Sequence, residues 1–143
     1  MAPRTEAMQP ERGPLLAAHA PRRVLIVDDH AATLAAIAGV LEREYPRIEV
    51  VGTAGNGIAA LKLARDLAPD VVVLDLDLGG QYGLDLMPAI GGRQGSAVVI
   101  LTSSDDPLER SRAFAAGAVA FISKLAPVGE LIAAVLAARP ASA

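Results

Sequence analysis

The chain has 143 residues, of which 52% are hydrophobic and only 3% aromatic, and its formal net charge is −3. This length fits one domain with a single aliphatic core, and the negative charge and scarcity of rings argue against direct contact with nucleic acid. The chain contains no cysteine, which excludes disulfides, thiolate metal sites and cysteine nucleophiles and is compatible with the cytoplasmic location that we expect. No apolar run approaches the roughly 20 residues of a membrane helix, so we expect no membrane partner.

The first 21 residues carry four prolines among mixed charges, and we predict a flexible N-terminal tail there. The folded domain is predicted to cover residues 22–138, followed by a short C-terminal tail over 139–143. Within the domain, apolar β-branched runs alternate with helical patterns. Such nearly continuous apolar runs are typical of parallel strands that are covered on both faces. The predicted strands are 24–27, 48–52, 71–75, 97–102 and 118–123.

Each predicted strand is followed by a stretch with helical features. An apolar stripe marks the first helix, and Asn56 is a suitable N-cap for the second, which Ala68 and Pro69 end. The fourth begins with Asp106 as N-cap and Pro107 next, and Glu109 stands where a capping box needs it. The predicted helices are 31–44, 57–67, 84–91, 107–116 and 128–138. Five βα units predict a doubly wound α/β fold with a five-stranded parallel sheet.

Polar side chains follow the predicted strands at the points where the strands end, and these ends meet at one edge of a parallel sheet. They are Asp28 and Asp29 after the first strand, Asp75 at the end of the third, Thr102 and Ser103 at the end of the fourth, and Lys124 after the fifth. Three carboxylates at one edge repel each other, and a hard cation such as Mg²⁺ would relieve that repulsion. A lysine and a hydroxyl beside such an ion could orient phosphoryl oxygens, and an aspartate can itself become an aspartyl phosphate. The sequence therefore predicts a metal-dependent phosphoryl acceptor.

Each of these residues also has an ordinary structural explanation. The two acids at 28 and 29 could end a strand and cap a helix, and Asp77 could be a plain loop residue. Thr102 could bond to the backbone, and Lys124 could be a solvated surface lysine. We assign His30, which follows the acidic pair, to the start of the first helix rather than to a metal. The functional interpretation rests on the presence of the acids, the hydroxyl and the lysine together at one edge of the sheet.

Four segments resemble the receiver domain of two-component response regulators. They are VLIVDDH at 24–30, PDVVVLDLDLGGQYGLDL at 69–86, VVILTSSDD at 98–106 and GAVAFISK at 117–124. The runs KLAPVGEL and IEVVGTAGNGIAAL resemble receivers of LuxR/NarL-type transcription regulators. The resemblance implies the flavodoxin-like strand order 2-1-3-4-5. It also implies that the chain is a signalling domain rather than an enzyme. Such a domain takes its phosphoryl group from a histidine kinase or a histidine phosphotransfer protein and slowly dephosphorylates itself.

The resemblance implies roles for the acidic residues. Asp75 is similar to the phosphoacceptor, and Asp29 to a direct Mg²⁺ ligand with Asp28 beside it, acting through water. The backbone carbonyl of Asp77 would complete the metal site. The side chain of Asp77 would lie near the path of an attacking water, so we predict that Asp77→Asn changes the lifetime of the phosphoryl group.

The resemblance implies further roles near the ends of the fourth and fifth strands. Thr102 is similar to the switch hydroxyl that moves toward the phosphoryl group, and Lys124 to the lysine that pairs with that group. Phe121 occupies the position of the aromatic residue that reorients on activation, with an ordinary core ring as its alternative. Gly83 fits the glycine that closes the loop after the third strand.

Two positions depart from the family pattern. Gly79 stands where receivers usually have a proline, and we expect Gly79 and Gly80 to loosen that loop. Leu125 stands where a proline usually follows the lysine. A cis bond before a non-proline residue costs about 2.5–4 kcal/mol, so we expect a trans bond between Lys124 and Leu125.

Two alternatives remain open from the sequence. The run LDLDLGG resembles the DxD signature of haloacid-dehalogenase-type phosphatases, although in that family the signature follows the first core strand and here it follows the third. A receiver-like scaffold that is not phosphorylated is the second, and the changes at Gly79 and Leu125 leave room for it. Small residues on the fifth helix would allow a homodimer, and without a basic recognition helix we expect no direct contact with DNA.

Overall fold

Five strands and five α-helices alternate along residues 20–91 and 95–140, the part of the chain that the computed structural model describes. The strands are β1 Arg22–Val27, β2 Ile48–Ala54, β3 Val71–Leu74, β4 Ala97–Thr102 and β5 Ala120–Ser123. The helices are α1 Ala31–Glu42, α2 Gly57–Leu67, α3 Met87–Gly91, α4 Pro107–Ala115 and α5 Val128–Ala137. The predicted N-terminal tail up to residue 19 and the last three residues of the predicted C-terminal tail lie outside the described residues.

The strands form one parallel sheet in the order β2-β1-β3-β4-β5, as the resemblance implied. In the β1–β3 ladder Val27 pairs with Leu74, so the next residues on the two strands, Asp28 and Asp75, stand side by side. In the β4–β5 ladder Thr102 pairs with Ser123, which places Lys124 directly beyond this pair. The register therefore delivers the predicted polar side chains to one edge.

The sheet is buried on both faces, as the continuous apolar runs predicted. Alternate residues of β1, β3 and β4 point to opposite sides, because side chains alternate along a strand. One set packs with residues of α2, α3 and α4, and the other with residues of α1 and α5. Both layers are aliphatic, in keeping with the composition. A rigid double-sided core thus holds the strand ends in fixed relation.

The segment predicted as a helix over 84–91 is instead a 3-10 turn, Gly83–Leu86, followed by the short helix α3. Two local features explain the difference. The Gly83 N–H donates to the Leu76 carbonyl at 2.6 Å, which draws the chain back onto the end of β3. Pro88 has no N–H to donate to the carbonyl four residues earlier, so an α-helix can include it only in the first turn.

The start of α4 also differs from the prediction in one contact. Asp106 is the N-cap, and its side chain accepts a hydrogen bond from the Leu108 N–H at 2.9 Å, as predicted. The capping box is wrong, because the Asp106 N–H donates to the Ser104 hydroxyl at 3.2 Å. The Glu109 carboxylate, freed from that role, accepts from the Tyr82 hydroxyl at 3.2 Å. Glu109 therefore ties α4 to the loop after β3.

Candidate metal and phosphoacceptor site

The centre of the site is an ion cluster formed by Asp28, Asp75 and Lys124. The Lys124 ammonium donates to Asp28 Oδ2 at 2.7 Å and to Asp75 Oδ2 at 2.9 Å. The two aspartates are almost fully buried, with 1% and 4% of their surface exposed. Buried carboxylates are costly unless a cation compensates them, so Lys124 is the group that makes this pair tolerable.

The environment of Lys124 favours its charged form. Burial disfavours the ammonium, but the hydrogen bonds to Asp28 and Asp75 outweigh burial, so the pKa of Lys124 lies above its ordinary value of 10.5. Lys124 is therefore a permanent cation at the edge of the sheet near neutral pH. This one ammonium contacts two carboxylates, and a third, that of Asp29, lies next to them.

Asp29 supplies the third carboxylate, and 23% of its side chain is exposed. Its Oδ1 is buried and, among the described residues, receives no hydrogen bond. Ligand atoms of Asp28, Asp29, His30 and Asp75 all lie within 4.8 Å of one another. Hard oxygen donors gathered this closely, one of them without a hydrogen bond, fit a divalent cation such as Mg²⁺.

The loop after β3 lies directly against these carboxylates. Gly79 has φ +62° and Gly80 has φ +95°, so a proline, whose φ is near −65°, could not replace Gly79 in this conformation. A Cβ on Gly79 would lie 2.9 Å from Asp29 Oδ2. The missing family proline is thus matched by a left-handed backbone that approaches the acidic cluster, and the predicted looseness of the loop stays a prediction. A Cβ on Gly83 would lie 2.2 Å from the Asp75 carbonyl, so the close approach there requires glycine.

Asp77 is exposed, and its side chain folds back onto its own loop. Its Oδ1 accepts from the Gly79 N–H at 3.2 Å, while its own N–H donates to Asp75 Oδ1 at 3.3 Å. The predicted metal role of its backbone carbonyl stays a prediction. Asp77 also lines a cleft of about 470 Å³ together with Gln81, Tyr82 and Thr102, which opens beside the cluster.

The hydroxyl of Thr102 is buried and accepts from the Ser104 N–H at 3.2 Å, so in this state it has the ordinary backbone contact. Phe121 is half-buried and packs against the core. The Lys124–Leu125 bond is trans, as predicted, since the cis peptide bond among the described residues is Tyr45–Pro46.

The contacts of two residues near the site were not predicted from the sequence. The Arg110 guanidinium lies 5.2 Å from the ring centroid of Phe114 and 5.8 Å from that of Phe121. Its Nη1 also donates to the Phe121 carbonyl at 3.4 Å. His30 is the N-cap residue of α1, as predicted, but its ring makes no capping bond and its Nδ1 lies 3.0 Å from Asp29 Oδ1. The adjacency of His30 to the acidic pair was the available signal, whereas Arg110 reaches Phe121 only in the folded chain.

Comparison with known proteins identifies the family. Residues 24–136 match the model of the response regulator receiver domain. The chain belongs to the response regulator receiver domain family. Receivers are signalling domains of two-component systems rather than conventional enzymes, and this membership favours the receiver over the haloacid-dehalogenase alternative.

Similar proteins include transcription regulators. The transcriptional regulatory protein PdtaR of Mycobacterium tuberculosis is 37% identical over 117 residues, which is 80% of this chain and 55% of that protein. LiaR of Bacillus subtilis is 33% identical over 117 residues, with 81% of this receiver and 55% of LiaR covered. The receiver thus spans about half the length of these relatives.

Solved receivers have the same fold. The receiver domain of a response regulator NarL from Mycobacterium tuberculosis superposes with a TM-score of 0.76 at 30% identity, covering 82% of this chain and 94% of that chain. A LuxR-family response regulator from Aurantimonas superposes with a TM-score of 0.76 at 30% identity, covering 81% and 83%. The predicted likeness to LuxR/NarL-type receivers is confirmed. Within the described part of this receiver, no helix has both the length and the apolar character needed to cross a bilayer.

Proposed function

We propose that this receiver accepts a phosphoryl group on Asp75 from a histidine kinase or a histidine phosphotransfer protein and then changes an interaction surface. The observation that supports this most strongly is the buried Asp28–Lys124–Asp75 cluster at the ends of three strands. A purely structural role would not require two buried carboxylates side by side at the ends of neighbouring strands. The receiver-like scaffold without phosphorylation is the competing function.

Asp28, Asp29 and Asp75 are the side chains that would hold Mg²⁺, Asp28 through water, and the carbonyl of Asp77 would complete the site. Three carboxylates and one ammonium leave two negative charges uncompensated, which suits a divalent cation. When bound, the ion supplies charge neutralisation for the oxygens of an incoming phosphoryl group.

The residues of the chain would divide the remaining work. A carboxylate oxygen of Asp75 forms a bond to phosphorus as the bond from phosphorus to the donor's histidine nitrogen breaks, and that nitrogen keeps the electron pair. Lys124, already 2.9 Å from Asp75 Oδ2, would turn its ammonium to a phosphoryl oxygen. Thr102 would exchange its backbone contact for another phosphoryl oxygen. Water later hydrolyses the acyl phosphate.

The output would be a shift between two populated conformations. Movement of Thr102 leaves room for Phe121 to turn inward, which alters the surface formed by α4, β5 and α5. The reader of that surface would be a partner protein or a second copy of the receiver. Homodimerisation, the absence of direct DNA contact and the cytoplasmic location stay predictions.

The test is incubation of the chain with acetyl phosphate, with and without Mg²⁺, followed by intact mass measurement. We expect one phosphoryl group per chain only when Mg²⁺ is present, and none on Asp75→Ala. Equal labelling of Asp75→Ala would contradict the proposal. No labelling at all would favour the scaffold, and sustained turnover of a phosphate ester would favour the dehalogenase-type phosphatase.

A further inference from the structure

The ring of His30 has no structural task at the start of α1. It forms no side-chain bond to the helix, and its position is set by its own N–H, which donates to Asp28 Oδ1 at 2.9 Å. Its side chain is 68% exposed, yet Nδ1 faces the acidic cluster, 3.0 Å from Asp29 Oδ1 and 3.5 Å from Asp28 Oδ1. A ring that is free to turn toward solvent is thus placed against two carboxylates.

The spacing of these atoms suits neighbouring ligands of one ion. Two ligands at right angles, each about 2.1 Å from a metal, are about 3 Å apart, and ligands on opposite sides are about 4.2 Å apart. Nδ1 of His30 and Oδ1 of Asp29 have the first separation. The full set, which includes Asp28 and Asp75, lies within 4.8 Å, slightly more than the separation of ligands on opposite sides of an ion. Asp29 Oδ1 is buried and, among the described residues, receives no hydrogen bond, so it can accept a cation together with the neighbouring His30 Nδ1.

We infer that His30 is a metal-selectivity residue, which supplies an imidazole nitrogen and lets this site bind a first-row transition ion in preference to Mg²⁺. The inference rests on the proposed function, because it uses the same carboxylates. Mg²⁺ favours oxygen ligands, whereas imidazole is a good ligand for Ni²⁺, Cu²⁺ and Zn²⁺. His30 should therefore add to the affinity for these ions far more than to the affinity for Mg²⁺.

The same contact has a competing explanation as an ion pair between protonated His30 and Asp29. The two explanations predict opposite results. As a ligand, His30 strengthens the binding of Ni²⁺ relative to Mg²⁺. As a cation in the site, it competes with every divalent ion alike, and its removal would strengthen the binding of both.

Calorimetric titration with Ni²⁺ and with Mg²⁺, slightly above neutral pH, compares wild type with His30→Gln. We expect the ratio of Ni²⁺ affinity to Mg²⁺ affinity to fall at least tenfold, in the range that altered metal-site contacts produce. The control is His19→Gln, the other histidine of the chain, which should leave the ratio unchanged. An unchanged ratio in His30→Gln, or stronger binding of both ions, would overturn the inference.

A spectroscopic measurement on the wild type makes the test independent of how the variant folds. Electron spin echo modulation of the Cu²⁺-loaded chain should carry the signature of an imidazole nitrogen, which persists in His19→Gln and is lost in His30→Gln. Absence of that signature from wild type would end the inference. Failure of the proposed function is separate, since it would appear as no Mg²⁺-dependent label on Asp75 whatever the metal selectivity.

Discussion

At the scale of single residues, the charges of the site follow from the sequence better than their fine placement does. Asp28, Asp75 and Lys124 meet because parallel strands in register bring their ends together, which the strand pattern alone indicates. The approach of Gly79 to Asp29 and the direction of the His30 ring depend on loop dihedrals and rotamers that only the folded neighbourhood fixes. The looseness that glycine at 79 predicts stays a prediction, and what the folded chain adds is that the positive φ of Gly79 brings the loop against an acid.

The most direct prediction at this scale concerns Asp77. In Asp77→Asn the side-chain oxygen can still accept from the Gly79 N–H, so the turn is kept while the charge beside the cleft is removed. We expect the phosphoryl group on Asp75 to live about 3–10 times longer, because repulsion of the phosphoryl dianion falls and the attacking water loses an acceptor. Decay of the labelled protein, followed by intact mass, measures the effect. Asp85 is an exposed acid of the 3-10 turn that follows this loop, and the phosphoryl group of Asp85→Asn should decay as that of wild type does. A decay rate of Asp77→Asn identical to that of wild type would remove the idea.

At the scale of elements, the apolar runs predict the strands and the family resemblance implies their order, but the contacts between elements were less predictable. The capping-box pattern at α4 was misleading because its two groups bond elsewhere. The Asp106 N–H donates to Ser104 and the Glu109 carboxylate accepts from Tyr82, and local spacing reveals neither contact. The Tyr82–Glu109 bond ties the loop after β3 to α4. The pKa of Tyr82 is raised, mainly because the hydroxyl is partly buried and also because it is bonded to Glu109. On the other side of α4, Arg110 covers Phe121 of β5. Helix α4 is thus held at two points that both border the site.

Loss of the second of these points should favour the switched conformation. Arg110→Met keeps an apolar stem but removes the cation and the hydrogen bond to the Phe121 carbonyl. A cation–π contact at an exposed site contributes about 0.5–1 kcal/mol, so we expect the initial rate of labelling by acetyl phosphate to rise about two- to fivefold. Intact mass of samples quenched at successive times gives the labelling rate. The amide resonance of Phe121 reports the change in the population of the switched conformation.

The control for Arg110→Met is Arg112→Met. Arg112 lies about 200° around the helix from Arg110. Arg112→Met therefore removes an equal charge and leaves Arg110 over Phe121. A rise of the same size in both variants would show that helix charge, rather than the cover over Phe121, sets the labelling rate.

At the scale of the whole molecule, the ion cluster joins distant parts of the chain. Lys124 bonds to Asp28 across 96 positions of sequence and to Asp75 across 49. Arg22 and Arg23 act similarly at the opposite end of β1, where they donate to backbone carbonyls near the ends of α5 and α2. The fold type could be inferred from apolar strands and helix signals. The extent to which the stability of the fold depends on one half-buried lysine could not be inferred, since burial and distances come only from packing.

Replacement of that lysine tests this dependence. Lys124→Met keeps the stem but leaves Asp28 and Asp75 buried without their cation, so we expect the free energy of unfolding near neutral pH to fall by about 3 kcal/mol, with Mg²⁺ restoring part of it. Because the pKa of Lys124 is raised in the folded state, its contribution in wild type is complete below pH 10.5 and is lost as the pH rises through the higher folded-state value. Denaturant unfolding should therefore show wild type losing stability above pH 10.5 more steeply than the variant. Lys62→Met, which breaks only the exposed pair with Asp66, should cost less than about 1 kcal/mol. If both variants were equally stable near neutral pH without Mg²⁺, the cluster would not be what holds the strand ends together.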